Sequence, residues 1–198
     1  MAGTDFVELD LDGPLLDRAF RIAPLVLVGT VDADGTADVA PKHMTMPVGE
    51  HHVAFTCTPT HATLGNVVET GAFTLSWLRP EDVLLASLAA APRMSDGTKP
   101  SLAAVPTRPA TVVDGVVVDR ASVVVECRLD RVVDGFGRWQ IVVGSIVRAA
   151  VAQDTLLAGV EVPQDVLARA PVLAYLQPDH VATISRADRF PYHEGFRR

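Results

Sequence analysis

The residues able to do chemistry in this chain are few, and each has a bland reading beside the functional one. Only two of 17 cationic side chains are lysines, Lys42 and Lys99, so each lysine stands out against an arginine background. Lys42 follows Pro41, where a strand must kink because proline withholds a ladder donor. On residue rules alone it is an edge lysine that discourages strand pairing. His61-Ala62-Thr63 begins a helical stretch, and N-terminal amides with a short hydroxyl suit an anion. Asn66 follows one turn later on the same side. Helix rules alone favour a simpler account, in which Thr60 caps the helix and Thr63 and Asn66 are exposed polar residues.

His43, His51, His52 and His61 invite a metal reading. However, Glu50-His51-His52 lies at a turn, and adjacent strand residues point to opposite faces. With no HExxH or paired-cysteine pattern, no metal site is expected. Cys57 and Cys127 sit in apolar strand-like runs, where reduced, buried thiols are expected. Met44, Met46, Trp77 and Trp139 read as well for core or interface packing as for function. No GxGxxG follows a strand and no GxxxxGK[ST] occurs, so neither a Rossmann domain nor a P-loop is supported.

The elements that must position these residues are mostly short β runs. Pro24–Val31 reads as a buried strand, Asp32-Ala33-Asp34-Gly35 as a turn, and Thr36–Val48 as an irregular return broken by Pro41 and Pro47. His52–Thr58 and Ala72–Leu78 are further strands. Between them Leu64, Val67 and Val68 share a helical face that Gly71 ends. Pro80-Glu81-Asp82 opens a second helix to about Ala91, with acids at its positive end. Met94–Pro109 reads as a long surface loop, and Thr111–Val118 as a hairpin around Asp114-Gly115. Ala121–Val133 and Arg138–Val151 form a long strand pair; Pro163–Leu176 is partly helical, and the tail from Val181 to Arg198 is irregular. Six or seven strands without βαβ alternation predict a mainly β, antiparallel barrel with a few short helices, as one domain over residues 1–198.

Composition limits the partners. The 198 residues carry 24 Asp and Glu against 17 Lys and Arg, a net charge of -7, with 48% hydrophobic residues. Such a chain is not disordered, and it lacks the dense cationic groove that nucleic acid needs. Its longest apolar stretches fall short of the about 20 residues a membrane span requires. The acidic start at Met1–Asp5 does not resemble a signal peptide, so the expected location is cytoplasmic.

The order of parts resembles the flavin reductase-like family of FMN-binding split barrels. The resemblance rests on the strand Leu25–Val31, the Asp-x-Asp-Gly turn, Ala40-Pro41-Lys42 and the strand ending Cys57-Thr58. His61-x-Thr63-x-x-Asn66 and Glu69-Thr70-Gly71-x-Phe73 follow in order, and Val125-Glu126-Cys127 and Gly144-x-Ile146-Val147 stand where that family has its long pair. Where the family often has Ser then Trp after the lysine, this chain has His43 and Met44. The resemblance implies a split β-barrel that binds FMN non-covalently and moves hydride from NADH or NADPH to an acceptor, working as a homodimer with a possible partner monooxygenase. It implies that Lys42, His43, Met44, Thr45, Cys57, Thr58, His61, Thr63 and Asn66 hold the flavin. The phosphate falls to the 61–66 helix start, the isoalloxazine edge to 43–45, and Lys42 to the flavin's pyrimidine side or its phosphate. The same fold also admits an oxygenase or isomerase, a non-catalytic flavin store, or a haem or deazaflavin binder.

Overall fold

The computed structural model describes residues 5–10, 12, 17–157, 162–193 and 195; Met1–Thr4 and the tail's last residues, 196–198, lie outside them. The first strands are β1 (Arg21–Pro24), β2 (Val26–Val31), β3 (Ala37–Lys42), β4 (Thr45–Val48), β5 (His52–Cys57) and β6 (Ala72–Trp77). Those that follow are β7 (Thr107–Pro109), β8 (Val116–Val118), β9 (Val123–Phe136), β10 (Trp139–Val151), β11 (Val172–Gln177) and β12 (His180–Ile184). Three α-helices, α1 (Ala62–Thr70), α2 (Val83–Ala90) and α3 (Pro163–Arg169), decorate them among the described residues. Seven strands form one sheet in the order β3-β2-β6-β9-β10-β5-β4, while β1-β11-β12 and β7-β8 form two small sheets. Every pairing is antiparallel.

Chain geometry forces the large sheet to curl. β3 and β4 are its opposite edges, yet only His43 and Met44 separate them in sequence. Lys42 and Thr45 can therefore lie no more than about 11 Å apart. Seven flat strands at roughly 4.8 Å spacing would put those edges nearly 30 Å apart. The sheet rolls until its edges meet at this two-residue tie, where the Thr56 amide donates to the Met44 carbonyl at 3.0 Å. The edge positions also explain Pro41 in β3 and Pro47 in β4, since an edge strand can lose a ladder donor.

β2 is buried on both faces. Val26 and Val28 join Phe55, Phe73, Leu75 and Val142 in the barrel's interior, with Leu64 and Val67 of α1. Leu25 and Leu27 join a second core that includes Ala86 and Ala89 of α2, Val116 and Val118 of β8, and Leu173 of β11. Two buried faces are why this strand reads as a continuous apolar run. Gly29 is needed where β8 crosses it, because a Cβ there would lie 2.0 Å from the Val116 carbonyl oxygen.

The mainly β barrel matches the expectation, with corrections in detail. The irregular return at 36–48 is β3 and β4. The region expected as loop, Met94–Pro109, contains a 3-10 turn (Pro100–Ala104) and β7. The hairpin expected within Thr111–Val118 instead pairs β7 with β8 across 110–115. Thr60 does not cap α1: His61 is its N-cap residue without a side-chain cap, and the Thr60 hydroxyl bonds that of Thr58 at 2.8 Å. Gly71 ends α1 as expected, in the left-handed conformation at φ 68°. Pro163–Leu176 is helical only to Arg169, and the tail pairs as β12 before becoming irregular.

Candidate functional site

One hollow of about 450 Å³ gathers the strongest chemistry. Alternation along β3 places Asp38, Ala40 and Lys42 at its wall. The start of α1 adds His61, Ala62 and Thr63, and the end of α2 with the following loop adds Arg93 and Lys99. α1 has no side-chain cap, so its first amides are available to an anion beside the helix's positive end.

Two cations pair with one buried carboxylate here. Asp38 is 4% exposed, and its Oδ1 lies 3.0 Å from Arg93 Nη2 and 3.8 Å from Lys99 Nζ. These are ion pairs, not aligned hydrogen bonds. Lys99 Nζ donates to the Val39 carbonyl at 3.0 Å and to the Ala89 carbonyl, one of the last of α2. Its ammonium therefore fastens α2 to β3 and offers the pocket a field more than a donor. Burial holds the Lys99 pKa below the usual lysine range; Asp38 opposes that shift, and Arg93 and Lys42 add to it. Burial, then the charges of Lys42 and Lys99, lowers His61 as well. With Lys42 included, three positive side chains face one negative, leaving a surplus suited to a phosphate dianion.

Next to this pocket, the tie between β3 and β4 opens on a trough of about 290 Å³ that His43, Met44, Thr45, Phe55 and Thr56 help to line. The Thr45 and Thr56 hydroxyls are buried without a hydrogen-bond partner; Thr45 pairs with Phe55, so the neighbouring Thr56 points to the opposite face of the sheet. His43 stacks on Tyr175 of β11, ring centroids 4.8 Å apart at 30°. Burial, then Arg21, lowers the His43 pKa, Lys42 adding to the effect and Asp17 opposing it.

The nine residues expected to hold a ligand thus fall into separate groups. Lys42, His61 and Thr63 share the cationic pocket, while His43, Met44 and Thr45 share the trough. Cys57 and Thr58 are buried nearby, with Cys57 Sγ 3.7 Å from His61 Nδ1. Burial pushes the Cys57 thiol up, and Lys42 with the amides of Thr58 and Leu64 pulls it partly back. Asn66 turns into the barrel, where its Nδ2 donates to Thr30 Oγ1 at 3.0 Å. Asp38, Arg93, Lys99 and Thr56 were absent from the sequence-based set. The rarity of lysine marked Lys99, and the period of two from Lys42 reaches Asp38, but nothing local marks Arg93 or Thr56.

The sequence matches the model of the flavin reductase like domain over residues 21–175. Comparison with curated proteins gives no match. Among solved structures the fold is similar to 2-nitrobenzoate 2-nitroreductase of Pseudomonas fluorescens, with a TM-score of 0.80, 16% identity, and 97% of this chain and 99% of that one covered. It is similar to nitrilotriacetate monooxygenase component B from Bacillus cereus, with a TM-score of 0.79, 18% identity, and 96% and 100% covered. Flavoredoxin of Desulfovibrio vulgaris (Miyazaki F) gives 0.76 and 17%, with 96% and 100% covered. These likenesses show a shared split-barrel fold. No helix among the described residues is long and apolar enough to cross a membrane. The family match spans most of the chain and includes the cationic pocket and all of the trough but Gln177, so this protein belongs to the flavin reductase-like family and has a flavin-related function.

Proposed function

We propose that the chain is an FMN-dependent oxidoreductase that passes hydride from NADH or NADPH, through non-covalently held FMN, to a second acceptor. The observation that carries this reading is a cationic pocket, with three positive side chains against one buried carboxylate, beside a trough walled by His43, Met44 and Thr45. Those features match the two ends of FMN, a dianionic phosphate and a flat ring with a polar edge. When bound, the flavin supplies the two-electron chemistry.

The protein's part is to bind, orient and set the field. Thr63, His61, Arg93 and the α1 amides hold the phosphate, with Lys99 adding charge behind them. The backbone of His43, Met44 and Thr45 runs along the polar edge of the ring. Lys42, between the two hollows, favours negative charge on the pyrimidine side of the ring. Cys57 and Thr58 back this wall, and Asn66 braces α1 against β2. A homodimer, a cytoplasmic setting and service to a partner monooxygenase belong to the same reading; the two free, buried cysteines fit a reducing compartment.

The direct test is the absorption spectrum of the protein with FMN, before and after anaerobic NADPH or NADH. A bound flavin band that bleaches on addition supports the reading. Bound flavin that no nicotinamide bleaches removes the nicotinamide step, and the absence of flavin binding removes the whole proposal.

A further inference from the structure

A third hollow adjoins the other two and has no role in the scheme above. It is a cleft of about 310 Å³ that shares Pro41 and Ala90 with the cationic pocket and His43 with the trough. α2 forms one side with Val83, Ala86, Ser87 and Ala90. Their spacing puts them on one helical face, and the small side chains leave it flat. Tyr175 of β11 and Val181 of β12 also line the cleft, with Leu25 at its base. His43 and Tyr175, stacked at 4.8 Å, make an aromatic platform there.

Its chemistry contrasts with that of the pocket beside it. Among the described residues no carboxylate, ammonium or guanidinium lines the cleft. The Tyr175 hydroxyl is engaged, donating to the Pro178 carbonyl. Ser87, exposed at the edge, is the remaining small polar group. A charged ligand would lose its hydration here and find no partner. A flat conjugated ring would keep its stacking and apolar surface. At about the lower size limit of small-molecule sites, the cleft suits one or two fused rings.

We infer that this cleft seats a neutral, planar, quinone-type ring as the second acceptor. Its role as acceptor rests on the proposed oxidoreductase reading; its binding does not. The overall step is balanced: reduced nicotinamide gives a hydride, water gives a proton, and the quinone's two C=O groups become the two C–OH groups of the hydroquinone. The nicotinamide leaves oxidised, having given up two electrons.

The test is calorimetric titration of the purified protein, with and without saturating FMN, using 1,4-naphthoquinone and 1,4-naphthoquinone-2-sulfonate in the absence of nicotinamide. Naphthoquinone is expected to bind at least about tenfold more tightly than its sulfonate. Ser87→Phe, which fills the open edge, and Val181→Asp, which adds a charge, are each expected to weaken naphthoquinone by about tenfold or more. Both should leave FMN affinity and thermal unfolding unchanged. If Ser87→Phe fails to fold, Val181→Asp on its exposed strand carries the test. Equal binding of the two rings, or variants without effect, overturns the inference. Parallel loss of FMN affinity also overturns it, since the cleft would then seat the flavin's own ring. Naphthoquinone binding with this pattern in a protein that binds no FMN upholds the cleft and sinks the flavin reading instead.

Discussion

Removing the charge of Lys42 separates two roles that its position between the pocket and the trough would otherwise merge. Lys42→Met keeps the side chain's length, so an ammonium that favours the reduced, anionic flavin should lower the midpoint potential with a modest loss of FMN affinity. A loss of ~1.4 kcal/mol corresponds to about 30 mV for a two-electron couple. Potentiometry and FMN titration on one preparation decide it, and an unchanged potential takes Lys42 out of the redox argument. Thr63 and Asn66 should now behave differently, although the sequence motif joins them. Thr63 lines the pocket, so Thr63→Ala should weaken FMN by roughly tenfold, about the worth of one hydrogen bond to a charge. Asn66 bonds Thr30, so Asn66→Ala should lower thermal stability by about 1 kcal/mol and move FMN affinity less. If the two substitutions affect affinity equally, the phosphate is not held as proposed. The motif's helix and its pocket-facing start were legible because phosphate recognition there uses backbone and short hydroxyls. The partner of Asn66 was not legible, because it comes from β2, far off in sequence. Arg93 escaped for the same reason, since its pairing with Asp38 exists only once α2 packs on β3.

Strands and loops are held by a few polar anchors whose loss should be visible in stability. Glu126 of β9 is fully buried, accepting from the Thr111 and Val112 amides at 2.9 and 2.7 Å and from Arg148 Nη1 at 2.8 Å. It therefore fastens the β7–β8 connection to the barrel. Burial alone would push its carboxyl up, but those amides and the guanidinium outweigh it and hold the pKa below the usual range. Because the unfolded chain then binds more protons, stability rises with pH across this window. The contribution is fully present above the unfolded value of about 4.3 and is lost as pH falls through the folded value. Glu126→Gln should cost about 2 kcal/mol near neutral pH and flatten the acid limb of the unfolding curve. Denaturant titrations at several pH values check both, and parallel acid limbs in the two proteins would refute the assignment. At this scale the sequence revealed long and strongly patterned elements, including the β9–β10 pair and the Gly71 end of α1. It missed β1, β7 and β12 because three- to five-residue strands carry too little alternation to stand apart from loop, and it took most of β11 into a partly helical stretch. Val116–Val118, expected within a hairpin of its own, pairs with β7 instead, and Gly29 and Thr74 let it lie against β2 and β6, a tertiary arrangement with no local signature.

For the whole molecule, the barrel leaves large apolar side chains in solvent, among them Met46 and Val48 on β4, Phe136 on β9, and Val147 and Val151 on β10. That surface fits the proposed homodimer. Light scattering at micromolar concentration should give twice the chain mass, and Val147→Glu with Val151→Glu should shift the equilibrium toward monomer. A monomeric mass for the unaltered protein would end the dimer proposal. The fold class was readable from strand count and the absence of βαβ alternation, but the meeting of the barrel's edges was not, because no residue announces it. That meeting has a further consequence in polymer terms. Closing a barrel normally joins its most distant strands, and the loop-closure entropy grows as the logarithm of the intervening chain. Here the meeting edges are sequence neighbours, separated by His43 and Met44, whereas the β6–β9 ladder joins residues tens of positions apart. The β3 wall of the cationic pocket and the β4 wall of the trough therefore belong to one local segment, brought together at almost no entropic cost. Adding glycines between His43 and Met44 lengthens that tether without removing any ladder partner, and so should spread the two hollows apart while the barrel's pairing survives.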